Sequence, residues 1–185
     1  MKNIVFLDRD GVINQDSPLY IKSPDEFHFI EGSVKAFENL KSSGLEVIII
    51  TNQSVINRGM VTQEVLDSIF DKMRDGVRKG SGDIKDIFFC KHTPDEGCDC
   101  RKPKPGLINQ AKEKYGIDLT SSVMVGDSTK DILAGKAAGC SQTVLVKTGN
   151  GLKAIKELNE KGVGPDYIAE NLLDASNWII KNRDE

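Results

Sequence analysis

Four consecutive apolar residues, Ile4-Val5-Phe6-Leu7, run directly into Asp8-Arg9-Asp10-Gly11. A strand with no polar face has to be covered on both sides, which is the habit of parallel sheets. Residues two apart in an extended chain point the same way, so Asp8 and Asp10 share a direction. Gly11 then permits a sharp turn out of the sheet. Two carboxylates at the mouth of a buried strand can hold a metal ion and attack a phosphorus atom.

The rest of the chain repeats the strand–helix alternation. Further strands are expected at Glu46–Ile50, Ile84–Cys90, Val123–Val125, Thr143–Val146 and Tyr167–Ala169. Helices are expected at Ser33–Ser43, with Val34, Phe37 and Leu40 on one stripe, and from an N-cap at Thr62 with Val65, Ile69, Met73 and Val77 inward. Others are expected at Leu107–Lys114, from Thr129 to just before Gly139, at Leu152–Lys161, and after a cap at Asn171. This order predicts an α/β fold: a Rossmann-like parallel sheet with helices on both faces. No Pro/Gly/Ser-rich linker divides the chain, so residues 1–185 are expected to form a single domain. Cys140, after the helix-ending Gly139, is expected to be a buried apolar residue.

The 185 residues carry 25 Lys and Arg against 28 Asp and Glu, a net charge of −3. That balance leaves no footprint for nucleic acid or an anionic membrane. The apolar run after Met-Lys-Asn is too short for a signal-peptide core, and no later run approaches a membrane span. A cytoplasmic, reducing location and a monomeric state are the expectations, and the four cysteines are then not read as disulfides.

Ligands of open α/β sheets sit beyond the carboxyl ends of the strands. Asp8, Thr51 and Asp127 each fall at such an end. Asp8, Asp10 and Asp127 together would repel one another without a cation among them, and Mg²⁺ suits an all-oxygen set. Asp131, four residues on, reads as an outer partner of that set or a helix-dipole carboxylate. Thr51-Asn52-Gln53-Ser54 supplies a hydroxyl, amides and backbone N–H groups for phosphoryl oxygens. Arg101-Lys102-Pro103-Lys104-Pro105 presents cations on a restrained backbone.

Between these pieces lie Cys90-x-His92 and Cys98-x-Cys100, five residues apart, in an irregular loop over about residues 90–105. Three thiolates and one imidazole close a tetrahedron suited to structural Zn²⁺, with no position left for catalysis. The next two residues are Arg101 and Lys102, so the metal would fix those cations over the crevice.

In this order, Asp8-Arg9-Asp10-Gly11-Val12, Thr51-Asn52, Lys102 and Gly126-Asp127 with Asp131 resemble the four motifs of the haloacid dehalogenase (HAD) superfamily of phosphatases. The resemblance covers roughly residues 4–149. It implies Asp8 as nucleophile, Asp10 as proton shuttle, and Thr51 and Lys102 as holders of the phosphoryl group. It also implies Mg²⁺ on Asp8, Asp10 (through its backbone carbonyl) and Asp127. The zinc loop is similar to a branch holding heptose 1,7-bisphosphate 7-phosphatases and histidinol-phosphate phosphatases. Asn57-Arg58-Gly59, Phe27-x-Phe29 and Leu145–Gly149 favour the heptose group, which implies a phosphorylated-sugar substrate; histidinol phosphate is the alternative. Asn52, Ser54, Arg101, Asp16, Tyr20 and Arg58 are the candidate substrate contacts. Short intervals between motifs imply a capless fold, with specificity made by residues 16–20 and 55–60.

Overall fold

The computed structural model describes residues 4–183. Six strands form one sheet: β1 (Ile4–Leu7), β2 (Glu46–Asn52), β3 (Asp86–Cys90), β4 (Ser122–Gly126), β5 (Gln142–Val146) and β6 (Tyr167–Ala169). Their order across the sheet is β3-β2-β1-β4-β5-β6, and every pairing is parallel. The expected α/β class and parallel sheet are therefore observed.

The helices are α1 (Ser33–Ser42), α2 (Gln63–Lys79), α3 (Gly106–Tyr115), α4 (Thr129–Ala138), α5 (Gly151–Glu160) and α6 (Leu172–Lys181). Alternation along β1 divides the core between the two faces. Val5 and Leu7 join Val47, Ile49, Val123 and Val125 in a cluster with Phe37 of α1, Ile69 of α2 and Ile179 of α6. Ile4 and Phe6 join Ile48, Ile50 and Met124 on the other face, against Leu107 and Ile108 of α3 and Ala134 of α4. Leu145 meets Ile132, Ala154 and Leu158, which seats α5 on that second face. Burial on both faces is why these strands read as continuous apolar runs rather than as alternating ones.

Caps set the helix starts as expected. Thr62 Oγ1 accepts the Val65 N–H at 3.4 Å and Asn171 Oδ1 the Asp174 N–H at 3.0 Å. The third strand begins at Asp86 rather than Ile84, because Lys85 N–H already bonds Val47 O while the register with β2 starts at Asp86. Cys140 is half-buried rather than buried, since Gly139 in the left-handed conformation turns the chain off α4 toward the surface.

β1 lies between β2 and β4, with Leu7 opposite Ile49 on one side and Val125 on the other. The three central strands thus end together, and the loops that leave them meet. From residue 8 to residue 45 the chain holds loops, a short 3-10 turn (Pro24–Glu26) and α1; from residue 53 to residue 101 it holds α2, β3 and the cysteine loop.

Candidate active site

A crevice of about 440 Å³ opens at the carboxyl ends of these strands. Asp8, Asp10, Thr51, Asn52, Lys102, Asp127 and Asp131 line its floor, with Asp16, Tyr20, Arg101, Lys130 and Asn150 around them. Its volume is that of an ordinary small-molecule site.

Lys102 is the centre of charge. It is 3% exposed, and its Nζ lies 2.8 Å from Asp8 Oδ1, 2.6 Å from Asp131 Oδ1 and 2.8 Å from the Ile50 carbonyl oxygen. Burial alone would depress this ammonium; the charges of Asp131 and Asp8 outweigh it and hold Lys102 protonated, above its ordinary value. Its main chain is gripped by Asn52, whose Oδ1 accepts Lys102 N–H at 3.1 Å and whose Nδ2 donates to Lys102 O at 3.2 Å. Asn52, expected to bind substrate, lines the crevice, and one N–H and its Oδ1 are used in placing Lys102.

Three carboxylates converge: Asp8, Asp127 and Asp131 offer oxygens within 4.8 Å of one another. This differs from the expected trio, in which Asp10 stood where Asp131 stands. Asp10 turns its carboxylate away, accepting from Arg9 Nη2 at 2.7 and 2.8 Å, Arg9 Nε at 3.1 Å, Asn14 Nδ2 at 2.9 Å and Gln53 Nε2 at 3.0 Å. Burial would raise the Asp10 carboxyl, but Arg9 and these hydrogen bonds overcome it and hold the group below its ordinary value. Asp131 is fully buried and doubly used: Oδ1 faces Lys102, and Oδ2 accepts Ser128 N–H at 3.0 Å and Ser128 O–H at 2.7 Å in a capping box on α4.

Two glycines make room for Asp127. A Cβ on Gly11 (φ +79°) or on Gly149 (φ +58°) would stand 2.2 Å from Asp127 Oδ2. That oxygen accepts Asn150 N–H at 2.8 Å, so the loops after β1 and β5 both close on it.

Burial raises the Asp8 carboxyl most; Lys102 pulls it down, Asp131 and Asp10 push it up, and it settles at about 7. Burial, Asp131 and Asp8 lift Asp127 to about 8. Such crowding fits a hard divalent cation with oxygen ligands. Without a cation, each raised carboxyl stabilises the fold fully below its ordinary value near 3.8, and that contribution is lost as pH rises through 7 to 8. The metal-free protein is therefore expected to melt at progressively lower temperature from about pH 5 to about pH 8 and to level off above it, and Mg²⁺ to flatten the decline. Thermal melts across that range with and without Mg²⁺ are the measurement, and a flat metal-free profile would contradict it.

The cysteine loop closes as its spacing suggested. Cys90 Sγ lies 3.6 Å from Cys98 Sγ and 3.1 Å from Cys100 Sγ, and Cys98 and Cys100 are 3.5 Å apart. His92 presents Nδ1, 3.5 Å from Cys90 and 3.3 Å from Cys100. A tetrahedral zinc with ~2.3 Å Zn–S bonds has sulfur–sulfur edges of roughly 3.8 Å, so this donor set fits the ion. Burial and the neighbouring sulfurs push Cys100 up to about 12, a thiol that a bound cation would deprotonate. Arg101 Nη1 donates to the His92 carbonyl at 2.9 Å, which ties the arginine to the loop.

The remaining expected contacts divide. Asp16 and Tyr20 line the crevice, and Asp16 Oδ2 accepts from Asn150 Nδ2 at 3.0 Å. Ser54 and Arg58 stand outside that lining: Arg58 Nε donates to Ser54 Oγ at 3.3 Å, and its guanidinium lies 5.8 Å from the Tyr20 ring centre. Arg58 thereby meets Tyr20, which lines the crevice. Arg9, Asn14, Gln53 and Gly149 were read only as members of longer runs, Gln53 among the amides offered to phosphoryl oxygens, and Asn150 was not singled out. The polar run after Asp8 and the Thr-Asn-Gln-Ser run were the available signals for the first three.

A parallel sheet whose first strand delivers a carboxylate against a buried lysine, with a threonine and two further carboxylates beside it, defines a HAD-type phosphatase. A family model described as HAD-hydrolase-like matches residues 99–175. A D-glycero-beta-D-manno-heptose-1,7-bisphosphate 7-phosphatase from Pseudomonas aeruginosa is 46% identical over 83% of this chain and 86% of its own. One from Pasteurella multocida is 39% identical over 97% of both. The crystal structure of the D,D-heptose 1,7-bisphosphate phosphatase from Bordetella bronchiseptica, complexed with magnesium and phosphate, superposes with a TM-score of 0.91. It is 38% identical and covers 97% of this chain and 98% of that one. The chain belongs to the heptose-1,7-bisphosphate 7-phosphatase family of HAD-like hydrolases.

Proposed function

We propose that this chain removes the 7-phosphate of D-glycero-D-manno-heptose 1,7-bisphosphate through an aspartyl-phosphate on Asp8. The observation that carries the reading is Asp8 Oδ1 held 2.8 Å from Lys102 Nζ on the floor of a crevice that Thr51, Asp127 and Asp131 complete.

Asp8 attacks the phosphorus, and the bond to the sugar oxygen breaks. Lys102 balances charge on the phosphoryl oxygens. Thr51 Oγ1 already accepts from Gln53 Nε2 at 2.9 Å, which leaves its own O–H to donate to a phosphoryl oxygen. Arg9 and its hydrogen bonds keep Asp10 ionised at rest, so Asp10 takes up a proton as substrate binds, gives it to the leaving oxygen, and later takes one back from the water that hydrolyses the acyl phosphate. Asp8, Asp127 and the Asp10 carbonyl would hold Mg²⁺, with Asp131 behind them. When bound, that ion screens the carboxylates and draws charge off a phosphoryl oxygen. Zn²⁺ on Cys90, His92, Cys98 and Cys100 would stiffen the arm that carries Arg101 and Lys102.

The same reading takes residues 1–185 as one phosphatase domain, monomeric and cytoplasmic, with no nucleic-acid or membrane partner. No helix among the described residues is long and apolar enough to cross a membrane.

The test is kinetic. The heptose bisphosphate is expected to exceed histidinol phosphate in kcat/KM by roughly 10²-fold or more, since a site with cations for a second phosphate leaves them unpaired with a monophosphate. The same preparation is expected to carry one zinc per chain. A preference for histidinol phosphate would overturn the substrate, and a chain active without zinc would remove its structural role.

A further inference from the structure

Arg9 stands between the two acidic residues of the first motif, and its position is unusual. It is 1% exposed, a guanidinium enclosed in the core. Among the described residues its one ion-pair partner is Asp10. Its Nη1 has no hydrogen-bond partner, and the Phe70 ring lies 5.9 Å from its Cζ. Enclosing a cation with one nitrogen unpaired costs stability, and an apolar side chain against Phe70 would serve the fold better. What Arg9 does accomplish is geometric: Nε and Nη2 grip both oxygens of Asp10.

Gln53, just past the end of β2, completes the grip. Its Nε2 donates to Asp10 Oδ2 at 3.0 Å and to Thr51 Oγ1 at 2.9 Å. One buried amide therefore sets the carboxylate that follows β1 against the hydroxyl near the end of β2. Asn14 adds a third donor, because the N–H groups of Val12, Ile13 and Asn14 all fold back onto the Arg9 carbonyl.

We propose that Arg9 and Gln53 are positioning residues that hold Asp10 for its two proton transfers. The inference rests on the reading of Asp10 as proton shuttle. In the first transfer the sugar–oxygen-to-phosphorus bond breaks, the Asp8-oxygen-to-phosphorus bond forms, and the proton passes from Asp10 to the sugar oxygen. In the second, water's oxygen bonds phosphorus, the Asp8 oxygen departs with its electron pair, and water's proton returns to Asp10. A displaced Asp10 matters most where the leaving oxygen needs that proton.

The experiment is single-turnover release of the leaving group from two substrates, heptose 1,7-bisphosphate and p-nitrophenyl phosphate, whose phenolate departs without a proton. Gln53→Ala and Arg9→Lys are compared with Asp10→Asn; Gln53 is neutral, so its variant serves if the Arg9 variant does not fold. Release of the sugar is expected to fall roughly tenfold or more in both positioning variants with KM little changed; nitrophenolate release is expected to stay nearly untouched in Arg9→Lys and to fall by a clearly smaller factor than sugar release in Gln53→Ala, which also frees Thr51 Oγ1. Asp10→Asn is expected to show the same split more strongly. If Asp10→Asn shows the split and the positioning variants lose equally on both substrates, or lose nothing, the inference is wrong while the reading of Asp10 stands. If Asp10→Asn shows no split, the shuttle reading falls and the inference with it.

Discussion

Asp8→Asn is expected to abolish phosphate release, by roughly 10³-fold or more, because the amide cannot form the acyl phosphate on which turnover depends. The substitution is nearly isosteric, and Lys102 keeps Asp131 and the Ile50 carbonyl as partners. Asp8 also carries a carboxyl raised to about 7 by burial and its acidic neighbours. Near and above that pH, removing its charge relieves repulsion with Asp127 and Asp131. The variant is therefore expected to melt at the same temperature as the parent or slightly higher in the absence of Mg²⁺. Steady-state phosphate release paired with a thermal melt separates the two effects. Retention of more than about a tenth of the parent activity would rule out Asp8 as the nucleophile.

Lys102→Met is expected to fail in both respects. The side chain is buried between Asp8 and Asp131, and Asp131 is wholly enclosed. Removing one member of a buried ion pair leaves the other uncompensated, a loss of about 3–5 kcal/mol. For a chain of this length that is roughly 6–20 °C in Tm. Activity is expected to fall by roughly 10²-fold or more, as when a fixed cation or donor is removed from a transition state. A second substitution distinguishes the causes. Adding Asp131→Asn to Lys102→Met removes the orphaned charge and is expected to recover much of the stability while restoring no turnover. A single variant that melts within about 2 °C of the parent would mean that the buried triad is not what it appears from its geometry.

The structure brings these two residues together in the crevice, and both were visible in the sequence. Asp8 was legible because it ends an uninterrupted apolar run, and a carboxylate there has few structural uses. Lys102 was legible because two prolines restrain its neighbours beside a Cys/His loop. The elements themselves were plain, since strands buried on both faces carry β-branched and aromatic residues with no polar alternation, and Thr62 and Asn171 announce their helices by side-chain chemistry.

The less legible residues are those whose role depends on a distant partner. Ser128-x-x-Asp131 is a complete local capping box, so nothing nearby in the sequence demands that Asp131 also neutralise a lysine 29 positions earlier. Asn52 follows the motif threonine and reads as a phosphate contact, yet its amide pairs with the main chain of Lys102, 50 residues on. Arg9 occupies the unspecified place between two aspartates, and a charged residue there reads as solvated until the turn at residues 11–14 encloses it.

The sequence by itself determined the sheet, the carboxylate at the end of its first strand and the Cys/His loop, because each follows from periodicity or spacing within a few residues. The tertiary structure decided which carboxylates converge. It placed Asp131 rather than the Asp10 side chain beside Asp8 and Asp127, gave Lys102 two counter-charges, and turned Asp10 onto Arg9 and Gln53. The reason is physical: the pairing of buried charges is set by which strand ends meet across the sheet, and that contact is made only after the chain has folded.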